Sequence, residues 1–82
     1  MELTVRLFGP LARAARRGAV TIECGGASVT VAELGRIIQE REPSLAPMMN
    51  ICRFAVNSEF ASGDQAVGPD DEIALIGLVS GG

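Results

Sequence analysis

The sequence predicts an α+β domain, a mixed sheet of about five strands with one main helix packed on one face. Three observations predict it. Residues 2–8 alternate polar and apolar: Leu3, Val5 and Leu7 point one way, and Glu2, Thr4 and Arg6 the other. That is the period of a half-buried strand. Residues 31–41 carry an apolar stripe at helical spacing behind a capping signal. Residues 72–79 form an almost continuous apolar run, Ile73, Ala74, Leu75, Ile76, Leu78 and Val79. A strand apolar on both sides belongs in the middle of a sheet.

The elements follow in order. Gly9-Pro10 breaks the first strand. Leu11 to Arg17 is compatible with one or two turns of helix that Gly18 ends. Residues 19–24 alternate again, with Val20, Ile22 and Cys24 on one face, so the first two strands are expected to pair antiparallel. Gly25-Gly26 makes a turn. Thr30 is placed to cap the helix, and Glu33, three residues on, to reach back to its backbone amide. Val29 and Leu34 are spaced as a hydrophobic staple. Val31, Leu34, Ile37 and Ile38 then share one face, Glu33, Arg36, Gln39 and Glu40 the other, and Pro43 bounds the helix.

Residues 44–50 read as a loop whose Met48 and Met49 plug the open end of the core. Cys52, Phe54 and Val56 alternate with Arg53 and Ala55 in a third strand. Asn57-Ser58 suits a tight turn, and residues 59–61 a short return strand. Residues 62–71 are turn-rich. If the last strand pairs beside the first, the two run parallel and the helix covers one face. This element order is that of the β-grasp, or ubiquitin-like, fold, which by itself fixes no function.

Composition narrows the function. At 82 residues, residues 1–82 form a single domain with a core just large enough for independent folding. No apolar stretch approaches the roughly 20 residues of a membrane span, and the alternating start is unlike a signal peptide, so a cytoplasmic protein that engages no membrane is expected. The net charge of −3 and the three phenylalanines, with no tyrosine or tryptophan, argue against nucleic acid. All seven basic residues are arginine. Without a lysine, the chain is poorly suited to receive an acyl group through a side-chain amine.

Cys24 and Cys52 lack metal-ligand spacing and no histidine accompanies them, so a metal site is not expected. Two reduced, buried cysteines in neighbouring strands are the expectation, with a redox disulfide as the alternative. Asp70, Asp71 and Glu72 could be read as a metal cluster, but adjacent carboxylates at a strand entry diverge, and a turn role is expected. Arg13, Arg16 and Arg17 form a basic cluster, solvated or facing an acidic partner. Phe60, after a turn, is expected to be exposed.

The last residues carry the chemistry. "LIGLVSGG" runs from Leu75 to Gly82 and ends in two glycines. Without a Cβ, Gly81 and Gly82 can thread a slot closed to any other residue. A flexible Gly-Gly tail is therefore expected at about 79–82. Its α-carboxylate, with a pKa near ~3.5, is ionised at neutral pH and is a poor electrophile. Adenylation by ATP would turn it into a mixed anhydride, and a sulfur nucleophile could then displace AMP to leave a thiocarboxylate.

"AVNSEF" (Ala55–Phe60), "GPDDEIALI" (Gly68–Ile76) and the terminal "VSGG" together resemble the MoaD/ThiS sulfur-carrier family, most of all its molybdopterin synthase small-subunit (MoaD) branch. The resemblance spans nearly the whole chain and is best from Ala55 onward. It implies that Gly82 is the site of adenylation by an E1-like, MoeB-type enzyme using ATP, and then becomes a 1-thioglycine. It implies that the tail enters a MoaE-type large subunit, in a heterotetramer, and supplies sulfur for the molybdopterin dithiolene. Catalytic side chains would belong to the partners, and no cofactor would be bound. Gly81, Ser80, Val79, Leu78, Phe60 and Leu75 would be partner-binding residues, with Ile76 in the same segment.

Where many small subunits carry Pro-Pro, this chain has Gly77-Leu78, which is expected to loosen the exit of the tail. Three alternatives stay open: a ThiS-type carrier for thiamine thiazole synthesis, typically shorter; a ubiquitin-like modifier that ends in an isopeptide on target lysines; and an interaction module with an inert tail.

Overall fold

The computed structural model describes residues 1–77. The elements are β1 (Glu2–Phe8), α1 (Pro10–Ala15), β2 (Ala19–Glu23), β3 (Val29–Thr30), α2 (Val31–Arg41), a 3-10 helix (Ala46–Ile51), β4 (Cys52–Val56), β5 (Glu59–Phe60), β6 (Ala66–Val67) and β7 (Ile73–Gly77). Five strands form one sheet in the order β2-β1-β7-β4-β5. β7 lies in the middle, parallel to β1 and antiparallel to β4. This mixed sheet with a helix packed on one face is the β-grasp arrangement.

The alternation of β1 decides what is buried. Leu3, Val5 and Leu7 face α2, while Glu2, Thr4, Arg6 and Phe8 face outward. α2 returns Val31, Leu34 and Ile38 to the same core, with Ile37 half-buried at its edge. Gly35 faces the sheet, where a Cβ would make an ordinary contact with the Phe54 ring at 3.5 Å. Thr30 caps α2, its hydroxyl accepting from the Glu33 amide at 3.2 Å. The reciprocal half of the expected capping box does not form among the described residues, and the Glu33 carboxylate lies 3.9 Å from Arg36 instead. The two preceding amides donate to loop carbonyls, Val31 to Gln65 and Ala32 to Gly63, both at 2.9 Å.

That last pairing belongs to a feature the sequence did not suggest. β3 and β6 form a separate two-residue ribbon that ties residues 62–67 to the start of α2. The loop expected at 44–50 contains a 3-10 helix, Ala46–Ile51. It is preceded by the fully buried Leu45, and its Met48 and Met49 pack partly buried against the core. α1 ends in a left-handed turn at Arg16, with φ 58°, two residues before Gly18. Gly18 is already engaged with the sheet, its carbonyl accepting from Leu7 N at 2.8 Å. Both cysteines are free, but they do not lie in neighbouring strands. Cys24 follows edge strand β2, whereas Cys52 opens β4, with β1 and β7 between them.

Candidate functional site: the outer sheet face and the end of β7

The outer face is built by cross-strand register. Arg6 of β1, Ala74 of β7, Ala55 of β4 and Phe60 of β5 form one row, and Phe8, Ile76 and Arg53 form the next. The two alanines lie side by side, so the middle of the sheet is low between larger flanking residues. The result is a groove of about 300 Å³ lined by Arg6, Phe8, Ala55, Phe60, Ala74 and Ile76, with Ser58 and Glu72 at one end. Phe60 is 54% exposed and Phe8 45%. The Arg53 guanidinium stacks over Phe60 at 4.5 Å, and Arg6 over Phe8 at 5.7 Å. Such stacking holds an aromatic ring upright at the surface and keeps a cation beside it.

A hairpin and its side-chain brace fix one end of this groove. Asn57 and Ser58 both take positive φ, 52° and 71°, as a two-residue turn between antiparallel strands requires. Asn57 is locked by three hydrogen bonds. Its amide donates to the Glu72 carbonyl (2.8 Å), its side-chain NH₂ to Asp71 Oδ1 (2.9 Å), and its Oδ1 accepts from the Glu72 amide (2.9 Å). Asp71 also accepts from the Gly68 amide at 2.8 Å. These bonds, the Gly68 amide first and Asn57 second, hold the Asp71 carboxyl below its ordinary value. Among the acidic triplet, then, Asp71 serves the turn.

The other end of the groove leads to Gly77, the last described residue of β7. Gly77 lies in register with Cys52. The Cys52 thiol donates to the Met48 carbonyl at 2.8 Å, and burial pushes its pKa up. It therefore stays protonated at neutral pH, the unreactive form. On the opposite side Gly77 meets α1. A Cβ at Gly77 would lie 3.3 Å from Pro10 Cγ and 3.7 Å from Leu11 Cγ. Gly77 is thus closely packed, and the looseness expected of it is corrected: the missing side chain admits a neighbouring ring.

Of the expected partner residues, Phe60 lies on the exposed face. Leu75 does not: it is 1% exposed and faces α2, so its docking role is corrected to a core role. The alternation of β7 sends Leu75 inward and turns Ala74 and Ile76 outward, both half-buried. Leu78, Val79, Ser80, Gly81 and Gly82 lie outside the described residues. Sequence reasoning missed Phe8, Arg6 and Arg53 as parts of this face. Phe8 carried a signal, being an aromatic at an outward position of β1. Of the three arginines after α1, Arg17 pairs with Glu42 at 2.8 Å and links α1 to the end of α2. Among the described residues no helix is long and apolar enough to cross a membrane.

The sequence matches the family model of the ThiS family over residues 5–82. The chain belongs to the ThiS family. None of the curated proteins compared with it matches. Among solved structures, this ThiS-family chain is similar to SAMP1, small archaeal modifier protein 1, of Haloferax volcanii. The identity is 26%, the TM-score 0.83, and both chains are covered completely. It is similar to a chain of the complex of subunits 1 and 2 of molybdopterin-converting factor from Helicobacter pylori, at 28% identity and TM-score 0.69, again with both chains fully covered. A putative molybdopterin converting factor subunit 1 from Pyrococcus furiosus shares the fold, at TM-score 0.81 and 18% identity, over 96% of this chain and 99% of that one.

Proposed function

We propose that the chain is a sulfur carrier, the small subunit of a molybdopterin synthase, with Gly82 as its working residue. The observation that carries this reading is the family match, which extends to Gly82. In the first step a Gly82 carboxylate oxygen attacks the α-phosphorus of ATP on a MoeB-type enzyme, and pyrophosphate leaves. A sulfur nucleophile then adds to the acyl carbon. The C–O bond to AMP breaks and AMP leaves with the electron pair. With hydrosulfide as the nucleophile, loss of a proton leaves the thiocarboxylate. With a persulfide donor, a second thiol attacks the donor's sulfur of the acyl disulfide, freeing the thiocarboxylate and forming a disulfide. Within a complex with a MoaE-type large subunit, a heterotetramer, that sulfur goes to the dithiolene of molybdopterin. The likeness to a chain of a two-subunit molybdopterin-converting factor supports a large-subunit partner.

The groove beside Gly77 suits the docking step. Its apolar floor offers burial, its stacked arginines orient the partner, and Leu78, Val79, Ser80 and Gly81 complete the contact in this reading. Mass spectrometry tests the carrier role. Incubation with the adenylating enzyme, ATP and a sulfur donor should replace one oxygen of Gly82 by sulfur. No exchange with an enzyme of proven activity would overturn it.

The likeness to SAMP1 favours a second reading, a protein modifier joined through Gly82 to lysines of targets. Gly-Gly remnants on lysines in digests of the producing cells would support it. The family match also leaves thiazole synthesis as the runner-up pathway. Rescue of a thiamine auxotroph, rather than of a molybdoenzyme-deficient strain, would assign it.

A further inference from the structure

We propose that Pro10 and Gly77 form one close-packed exit that aims the chain leaving β7, and that Pro10 is a positioning residue for the reaction at Gly82. The inference rests on the carrier reading above.

The geometry begins at the end of β1. Phe8 is in register with Ile76, so the next residue of each strand reaches the same edge of the sheet. There the two chains part. Gly9 adopts φ 66° and ψ −137°, a conformation that suits glycine, and turns the chain over the end of β7. Pro10 follows as the first residue of α1, where its fixed φ suits a helix start. Leu11, fully buried, anchors that turn in the core. The Pro10 ring therefore has little freedom to move, and it lies against the place a Cβ at Gly77 would take. The gap of 3.3 Å to a Cβ at Gly77 is tighter than ordinary van der Waals contact.

Three constraints converge on Gly77: its pairing with Cys52 on one side, the Pro10 ring, and the buried Leu11 beneath that ring. The last described residue of β7 is thereby held against α1, at the point from which the chain leaves the sheet. Gly82 lies only five residues on. Over so short a span a fixed start limits the volume its carboxylate can search and raises its effective concentration in a partner's active site. A methyl group at Gly77 would push the ring or the strand aside and re-aim the exit. Removing the ring should then relieve the methyl group.

The test is a double-mutant cycle on Gly77→Ala and Pro10→Ala, read by carrier-dependent pyrophosphate exchange with the E1-like adenylyltransferase. We expect Gly77→Ala to lower kcat by about tenfold while KM stays within about twofold, because the groove is untouched. Adding Pro10→Ala should restore kcat to within about twofold of the Pro10→Ala single variant. Pro10→Ala alone adds no bulk and should fold; it should speed amide exchange at Gly77 and lower kcat more weakly. An unchanged kcat in Gly77→Ala, or no recovery in the double variant, overturns the positioning role. So does an equal loss of kcat and melting temperature that recovery does not track, since that marks a purely structural contact. If Gly77→Ala does not fold, unchanged kcat and amide exchange in Pro10→Ala overturn it. Absence of exchange with the wild-type chain would sink the carrier reading itself, a result distinct from all of these.

Discussion

The two faces of the sheet share strands and much of their composition, yet they do different work. The inner face, Leu3, Val5, Leu7, Ile73 and Leu75, is sealed by α2 and contributes stability. The outer face, Arg6, Phe8, Ala55, Phe60, Ala74 and Ile76, has no helix over it among the described residues. β7 shows the contrast within five residues. Its inward Ile73 and Leu75 are buried, and its outward Ala74 and Ile76 are half-buried. An apolar run therefore had two causes. One side of the strand is core, and the other is a surface suited to a partner.

Four substitutions test that division, in order of expected effect. Leu75→Ala should cost about 2–4 kcal/mol in denaturant unfolding, because it opens a cavity beneath α2. A loss below about 1 kcal/mol would mean the inner face tolerates collapse there. Phe60→Ala should do the opposite. Its stability should change by less than about 1 kcal/mol, the scale of the lost Arg53 stacking. Binding to a MoaE-type large subunit, measured by calorimetry, should weaken by about 2 kcal/mol if Phe60 anchors the contact. Unchanged binding would remove Phe60 from the interface.

Thr30→Ala should cost about 1 kcal/mol through the lost cap of α2, with partner binding intact. Asp71→Ala should have the smallest effect and a pH signature. The Asp71 pKa is depressed in the folded state, so its contribution is present above its unfolded pKa of about 3.9. That contribution is lost as pH falls through the folded value. Thermal melts should show the wild type losing stability to acid more steeply than Asp71→Ala below about pH 4. Equal slopes would mean the brace at Asn57 does not depend on that charge.

Much of this was legible in the residues. The alternation of β1, the cap and stripe of α2 and the apolar run of β7 are local patterns, and each predicted its element. Signals failed where pairing was brief or non-local. Ala66–Val67 is too short to show a period, and only its partner Val29–Thr30 makes it a strand. The 3-10 helix at Ala46–Ile51 has no buried stripe of its own. The family resemblance places Leu75 with the partner-binding segment as a whole and does not separate its two sides. One-residue alternation, not hydrophobicity, sends it inward.

By itself the sequence determined the class of fold, because hydrophobic period acts locally. Only the tertiary structure decided which apolar side of β7 faces solvent, since that depends on where α2 lands. It also decided what crowds residue 77. The ring beside it belongs to Pro10, far away in the chain and 3.3 Å from where a Cβ would stand.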